Sequence, residues 1–218
     1  MAQSPLRAHL KKEQEKMLKN SFSLKGAIFD LDGTLFVSPY NWKEIKRRLG
    51  VREGLILDHL NSLEEPERSR KFKLLEKMER EATSKGKVAE GAKELINFLK
   101  DRNVKIGVLT NNSRELAKKL ISKIKIPLDV LVTRDDGVYK PYPEAMNRAL
   151  SLLGLKSEEC IYVGDNVLDI KAAEPFTFRN VFIIDKVISE EVKKEYKNKV
   201  VFVNSLFEVI EFLDGKII

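Results

Sequence analysis

Short apolar runs alternate along the chain with segments that have a helical period. Five runs are nearly all apolar and four to seven residues long, which is typical of strands buried on both faces of a parallel sheet. They span 27–31, 104–110, 129–132, 160–164 and 181–184, and 200–203 is a candidate edge strand. This alternation of strands and helices predicts an α/β fold with a doubly wound, Rossmann-like parallel sheet.

The segments between these runs have apolar residues on one side of a helix. One helix is predicted over 88–102, where the spacing i, i+3, i+4 and i+7 is met by Ala92, Leu95, Ile96 and Leu99. Further helices are predicted over 113–123, 143–153 and 205–213. The first of these three begins at a serine suited to an N-cap, and the second begins with a proline and ends before Gly154. We expect these helices to cover the sheet.

The segment 38–87 breaks the alternation. It contains no convincing strand, and its pattern predicts helices over 42–49, 55–63 and 66–84. A structureless loop of about fifty residues is uncommon inside a compact domain. The segment is therefore predicted to be a helical subdomain inserted into a core formed by residues 1–37 and 88–218.

Composition limits the class of protein. A chain of 218 residues with 43% hydrophobic content can fill a real core, and no stretch approaches the roughly 18 apolar residues that a membrane span needs. Cys160 is the only cysteine, so no intramolecular disulfide can form and the cytoplasm is the expected location. Residues 4–19 are predicted to form a basic helix and are not interpreted as a secretory signal, because they lack an apolar centre.

The net charge of +7 raises the question of nucleic-acid binding, since 40 Lys and Arg exceed 33 Asp and Glu. Basic residues are interspersed with acidic ones almost everywhere, as in 71–81. A surface that neutralises a run of phosphates needs clustered cations. Nucleic acid is therefore not an expected partner.

Four carboxylates follow two of the predicted strands. Asp30 and Asp32 end the first strand, and Asp165 and Asp169 follow the fourth. In an open parallel sheet, ligands bind outside the carboxyl ends of the strands. Close carboxylates repel one another and call for a cation, while Gly33 permits a tight turn. These acids could hold Mg²⁺ directly or through water.

Two other strand ends carry groups that suit an anion. Thr110, Asn111 and Asn112 offer a hydroxyl and amides just before a predicted helix N-terminus, which is a natural anion site. Lys140 lies in the loop after the third strand, where its ammonium could neutralise a phosphoryl oxygen.

Taken in order, these four strand ends resemble the motifs of the haloacid dehalogenase superfamily of phosphatases. Those motifs are Asp-x-Asp-Gly-Thr, a Thr or Ser, a Lys, and Gly-Asp-x-x-x-Asp, and the resemblance covers roughly residues 25–212. It is closest to the phosphoglycolate-phosphatase-like branch, in which a helical cap lies between the first and second motifs. The segment 38–87, called the cap from here on, is shorter than usual for this branch.

The resemblance implies roles for the carboxylates. Asp30 would be the nucleophile that forms an aspartyl phosphate, and Asp32 would be the general acid and base. Mg²⁺ would be held by Asp30, by the backbone carbonyl of Asp32 and by Asp165, with Asp169 assisting through water. Asp32 favours phosphoester hydrolysis over dehalogenation, because a dehalogenase lacks this second aspartate.

The resemblance also implies the substrate class. Thr110, the Asn111 backbone amide and Lys140 would bind the transferring phosphoryl group of a small phosphorylated metabolite, with phosphoglycolate as the leading candidate. A nucleotidase, a pyrophosphatase, a sugar-phosphate mutase and a non-catalytic binding module remain alternatives. A cap this small could also leave part of the enclosure to a second subunit in a homodimer. Tyr40 and Trp42 are interpreted as residues that pack or face solvent.

Overall fold

A parallel sheet of six strands lies at the centre of the protein. The computed structural model describes residues 24–186 and 188–215. In chain order the strands, including the two of a separate short ribbon, are β1 (Gly26–Phe29), β2 (Phe36–Val37), β3 (Lys87–Val88), β4 (Lys105–Leu109), β5 (Val130–Val132), β6 (Cys160–Gly164), β7 (Asn180–Ile184) and β8 (Val201–Val203). The sheet order is β5-β4-β1-β6-β7-β8, and every pairing is parallel. This confirms the predicted doubly wound α/β fold and its six strands.

Helices cover both faces of this sheet. In chain order they are α1 (Trp42–Leu49), α2 (Ile56–Asn61), α3 (Glu67–Ser84), α4 (Ala92–Lys100), α5 (Arg114–Ile124), α6 (Pro143–Leu153), α7 (Val167–Ala173), α8 (Glu190–Tyr196) and α9 (Leu206–Asp214). Helices α4, α5 and α9 pack in one hydrophobic cluster with Ala27 and Phe29 of β1, whereas α6 and α7 pack in another with Ile28. Successive side chains of β1 therefore face opposite sides of the sheet, and both sides are buried. Among the described residues, no helix is long and apolar enough to cross a membrane.

Helices α1, α2 and α3 form the segment between β2 and β3 and pack around a hydrophobic cluster of their own. Strands β2 and β3 pair antiparallel, with Phe36 beside Val88, and so join the two ends of this segment. Helices α1 and α3 match the predictions over 42–49 and 66–84 to within one residue, while α2 is shorter than the predicted 55–63. The bounds of the cap as a separate domain remain a prediction.

The structure corrects other predicted elements. The helix predicted over 88–102 begins only at Ala92, because Val88 pairs in the ribbon and Gly91 adopts a left-handed conformation with a φ of 80°. Helices α7 and α8 and the ribbon were not predicted, since each is too short to display a clear period. The helix predicted over 4–19 lies outside the described residues.

The carboxyl ends of the central strands meet at one edge of the sheet. The register places Phe29 of β1 beside both Val108 of β4 and Val163 of β6. The chain leaves β1 toward β4 on one side and later returns to β6 on the other. A switch of this kind opens a crevice at the carboxyl edge, so the loops after β1, β4 and β6 converge there.

Candidate active site

Asp30 is the first residue after β1 and lies at this switch point, with only 4% of its surface exposed. Its backbone N–H donates to the Val163 carbonyl at 2.8 Å, which holds the loop in register beyond the end of the strand. The buried Lys140 approaches from the loop after β5, and its Nζ donates to the Asp30 Oδ1. The residues predicted as nucleophile and as phosphate-binding cation are therefore in contact.

Lys140 is paired with a second carboxylate as well. Its Nζ donates to the Asp169 Oδ1 at 2.6 Å, and both side chains are almost fully buried. Burial alone would lower the pKa of Lys140, but the negative charges of Asp169 and Asp30 outweigh it and hold that pKa above its usual value. Lys140 therefore keeps its positive charge inside the site.

Asp169 organises the loop between β6 and α7. Its Oδ2 accepts hydrogen bonds from the backbone N–H groups of Asp165 (3.0 Å) and Asn166 (3.1 Å), and its Oδ1 also accepts from the Tyr162 hydroxyl at 2.6 Å. Together with Asn166 it forms the capping box of α7. Both Asp169 oxygens are thus engaged by protein donors, and this carboxylate fixes the backbone that carries Asp165.

Three carboxylates of the site could share a cation. Oxygens of Asp30, Asp165 and Asp169 all lie within 4.8 Å of one another. Burial, followed by the charge of Asp169, raises the pKa of Asp165 to about 6, and burial also raises the pKa of Asp30. Three carboxylates thus lie around one buried lysine, and a bound cation would favour their charged forms. Clustered carboxylate oxygens of this kind fit a hard divalent cation such as Mg²⁺.

Gly33 brings the loop after β1 close to Asp165. Its φ is +94°, a conformation that L side chains rarely adopt, and a Cβ at this position would overlap the Asp165 carboxylate. The absence of a side chain at Gly33 therefore lets the Asp165 carboxylate pack against this loop.

Asp32 is held by three hydrogen-bond donors. Its Oδ1 accepts from the Ser38 hydroxyl at 3.0 Å, and its Oδ2 accepts from the Tyr40 hydroxyl at 3.0 Å and from the Asn112 Nδ2. Burial raises the pKa of Asp32, and the three hydrogen bonds oppose that rise. The carboxyl group predicted as the general acid and base is thus oriented by the residues that follow β2 and by the loop after β4.

The loop after β4 is joined to the Lys140 loop. Asn111 Nδ2 donates to the Lys140 carbonyl at 2.9 Å, while the Lys140 backbone N–H donates to the Asn111 Oδ1 at 2.8 Å. The Thr110 hydroxyl is buried and accepts from the Asn112 N–H at 3.2 Å. The structure therefore brings all three predicted phosphate-binding residues to the same edge as the carboxylates.

Three residues that contact Asp32 were assigned no role in the predicted site. Asn112 had a sequence signal, because it follows Thr110 and Asn111 at the end of a strand. Ser38 and Tyr40 had no sequence signal, since both follow β2 and contact Asp32 only because the turn before β2 folds the chain back. Tyr40 also stacks on Trp42, with ring centroids 4.5 Å apart and planes at 17°.

A family model described as haloacid dehalogenase-like hydrolase matches residues 36–183, which is more than half of the chain. The chain belongs to this hydrolase family. The matched residues include Thr110, Lys140 and Asp165, and they begin just after the Asp-x-Asp-Gly-Thr sequence that contains Asp30 and Asp32. Membership of the haloacid dehalogenase-like family confirms the resemblance on which the predicted roles rest.

Two relatives and one solved structure illustrate the likeness. A provisionally named pyrophosphatase PpaX of Caldanaerobacter subterraneus is 32% identical over 132 residues, 59% of this chain and 60% of its own length. Pyrophosphatase PpaX of Bacillus cereus is 44% identical over 81 residues, 35% of this chain and 37% of its own length. The aligned region thus spans less than two thirds of either relative. A hydrolase from Pseudomonas syringae superposes with a TM-score of 0.71 at 22% identity, covering 88% of this chain and 98% of that one, which shows a shared fold.

Proposed function

We propose that the protein is a Mg²⁺-dependent phosphatase that hydrolyses small phosphorylated substrates through an aspartyl phosphate. The observation that carries this proposal is the contact of Lys140 with Asp30 at the switch point of the sheet, within a cluster of carboxylates. A carboxylate nucleophile divides one difficult displacement into two easier steps. Asp30 attacks the phosphorus atom and displaces the leaving oxygen, and water then attacks the aspartyl phosphate at phosphorus, which releases inorganic phosphate and restores the Asp30 carboxylate.

Asp32 moves the proton in both steps. It donates a proton to the leaving oxygen in the first step and takes one from the attacking water in the second. Its partial burial and its raised pKa support this role, because a proton carrier works best when its pKa lies closer to the working pH. Ser38, Tyr40 and Asn112 hold the carboxyl group in place between the two steps.

The transferring phosphoryl group is bound by cations and hydrogen-bond donors. Lys140 Nζ, the Thr110 hydroxyl and the Asn111 backbone N–H are the proposed ligands of its oxygens. Asp30, Asp165 and the backbone carbonyl of Asp32 would hold Mg²⁺, which when bound supplies positive charge against the nucleophile and the phosphoryl oxygens. For Asp169 we propose a supporting role beside the metal, because protein donors already engage both of its oxygens.

Two substrates lead the proposal. Phosphoglycolate follows from the resemblance of the sequence motifs to one branch of the family. Inorganic pyrophosphate is favoured by the relatives, since both that we compared carry the name pyrophosphatase PpaX. Both are small molecules with a terminal phosphoryl group and an anionic leaving group. The same residues would therefore bind the transferred phosphoryl group of each.

Phosphate release should require Mg²⁺ and should be limited to a narrow set of substrates. We expect release from pyrophosphate or phosphoglycolate with 5 mM Mg²⁺ in the assay, on the order of 10³-fold faster than with excess chelator, because the metal offsets charge in the transition state. A panel that adds a nucleoside monophosphate and a sugar phosphate separates the alternatives, and chromatography of the sugar phosphate detects a mutase. If no compound releases phosphate and no isomer forms, the proposed function is wrong.

Gly33→Ala should raise the Mg²⁺ concentration that phosphate release requires. Its Cβ would overlap the Asp165 carboxylate, and displacing a catalytic group by about 1 Å costs on the order of 10²-fold in rate. We expect a rate loss of this size at low Mg²⁺ and a higher Mg²⁺ concentration for half-maximal phosphate release. The measurement is a Mg²⁺ titration of the steady-state rate.

The matched control for that titration is Gly137→Ala. Gly137 has a φ of +76°, but a Cβ there would meet nothing within 4 Å. Both variants bear the backbone cost of a left-handed alanine, about 1–2 kcal/mol, and only the first disturbs Asp165. Equal Mg²⁺ requirements in the two variants would contradict the position proposed for Asp165.

A further inference from the structure

A buried ion pair joins the cap to the core beside the proposed site. Arg134 follows β5, Glu79 lies on α3, and each side chain is only 4% exposed. Arg134 Nη1 donates to Glu79 Oε1 at 2.7 Å and Nη2 donates to Oε2 at 2.9 Å, which is a bidentate pair. Buried ion pairs of this kind contribute little net stability, because desolvation offsets their attraction.

The same guanidinium reaches the loop after β4. Arg134 Nη1 also donates to the Asn111 carbonyl at 3.0 Å, and the Arg134 backbone N–H donates to the Asn112 carbonyl at 3.2 Å. A hydrogen bond from a charged donor is stronger than one between neutral groups. Arg134 thus fixes the backbone that carries two of the proposed site residues.

The peptide group between Asn111 and Asn112 transmits this constraint. A peptide group is planar, so the Asn111 carbonyl and the Asn112 N–H are oriented together. The Asn112 N–H donates to the Thr110 hydroxyl at 3.2 Å, and the Asn112 side chain donates to Asp32. A continuous series of contacts therefore links Glu79 of the cap to Thr110, a proposed phosphate ligand, and to Asp32, the proposed general acid.

We propose that Arg134 is a positioning residue that makes the phosphate-binding loop depend on a docked cap. Glu79 holds the guanidinium in place when α3 lies against the core, and the guanidinium orients the peptide group between Asn111 and Asn112. With α3 undocked, Arg134 loses its bidentate partner and this peptide group is no longer held. Phosphoryl transfer is therefore efficient only while the cap is docked against the core. The inference rests on the proposed function for its kinetic consequence.

The double variant Glu79→Leu, Arg134→Met separates positioning from stability. Apolar side chains of similar size often replace a buried ion pair with no loss of stability, so the double variant should keep the melting temperature of the wild type. We expect its kcat for phosphate release to fall about tenfold or more, because the hydrogen bond to the Asn111 carbonyl is lost. Glu79→Gln keeps one acceptor oxygen for Arg134, but its amide nitrogen can only donate, so the bidentate pair is reduced to one hydrogen bond and we expect a kcat between those of the wild type and the double variant.

Binding of orthovanadate, an analogue of phosphate, gives a readout that does not need turnover. Trp42 is the only tryptophan, and it stacks on Tyr40, whose hydroxyl donates to Asp32. Titration of Trp42 fluorescence with orthovanadate therefore reports occupancy of the site. We expect about a tenfold higher Kd in the double variant and a Kd like that of the wild type in Arg114→Met. The last variant breaks the partly buried pair of Arg114 with Asp136, which joins the start of α5 to the loop after β5.

The outcomes distinguish the two proposals. A double variant with the kcat and orthovanadate Kd of the wild type would overturn the role of Arg134 and leave the phosphatase intact. A wild type that binds orthovanadate but hydrolyses nothing on the panel would overturn the proposed function, while the Kd ratio still decides the role of Arg134. If the double variant unfolds, Arg134→Lys replaces it, since lysine keeps the charge but lacks the planar fork that binds both Glu79 oxygens and the Asn111 carbonyl. Wild-type kcat and Kd in Arg134→Lys would equally overturn the inference.

Discussion

Asp30→Asn should abolish phosphate release while the protein stays folded. The variant keeps the size of the side chain, but an amide cannot attack phosphorus to form the aspartyl phosphate, so the reaction loses its covalent route. Removal of a nucleophile typically costs on the order of 10⁴-fold or more in kcat. The measurement is the steady-state rate on the best substrate of the panel, together with circular dichroism of the variant and a search for a trapped phosphoenzyme in the wild type.

Asp169→Asn is the informative control for that result. Asp169 lies in the same buried cluster and accepts from the same Lys140 Nζ as Asp30. Both variants remove one negative charge from the cluster, but only Asp30→Asn removes the proposed nucleophile. We expect the Asp30 variant to be at least about 10²-fold slower than the Asp169 variant. Equal losses would mean that the charge of the cluster, and not the nucleophile, limits the rate.

The sheet was predictable because its signal is local. A strand buried on both faces needs apolar residues at nearly every position, and β6 (Cys160–Gly164) is buried throughout and was predicted with the same bounds. Helix α6 (Pro143–Leu153) was also predicted correctly, since Pro143 and Gly154 mark its ends. Once the strands are aligned in parallel, the residues after them must meet at one edge. The location of the candidate site follows from that alignment.

Contacts between distant segments were not predictable. Glu79 and Arg134 are 55 positions apart, and each lies among other charged residues, where a solvated side chain is the ordinary expectation. Their pairing depends on how α3 lies against the core, and an apolar period fixes the buried side of a helix but not its partner. The hydrogen bond from Tyr40 to Asp32 was missed for a similar reason. It forms only because the turn before β2 folds the chain back on itself.

Lys140→Met should both inactivate the protein and destabilise it. Lys140 is buried against Asp30 and Asp169, and the Asp165 carboxylate belongs to the same cluster. Removing one partner of a buried ion pair leaves an uncompensated buried charge and typically costs about 3–5 kcal/mol. We expect a loss of this size in the free energy of unfolding without metal. The rate of phosphate release should fall on the order of 10³-fold, since the ammonium that offsets phosphoryl charge is gone.

Mg²⁺ should restore part of the stability of Lys140→Met but little of its activity. A cation bound only by the folded state raises the free energy of unfolding, and it binds more tightly where more negative charge is uncompensated. Urea unfolding with and without Mg²⁺ measures this, and we expect a larger Mg²⁺ effect in the variant than in the wild type. The control is Lys25→Met, which removes an exposed lysine paired with Glu159 and should leave stability and rate unchanged. If Mg²⁺ stabilised Lys140→Met no more than the wild type, the three carboxylates would not share a metal site.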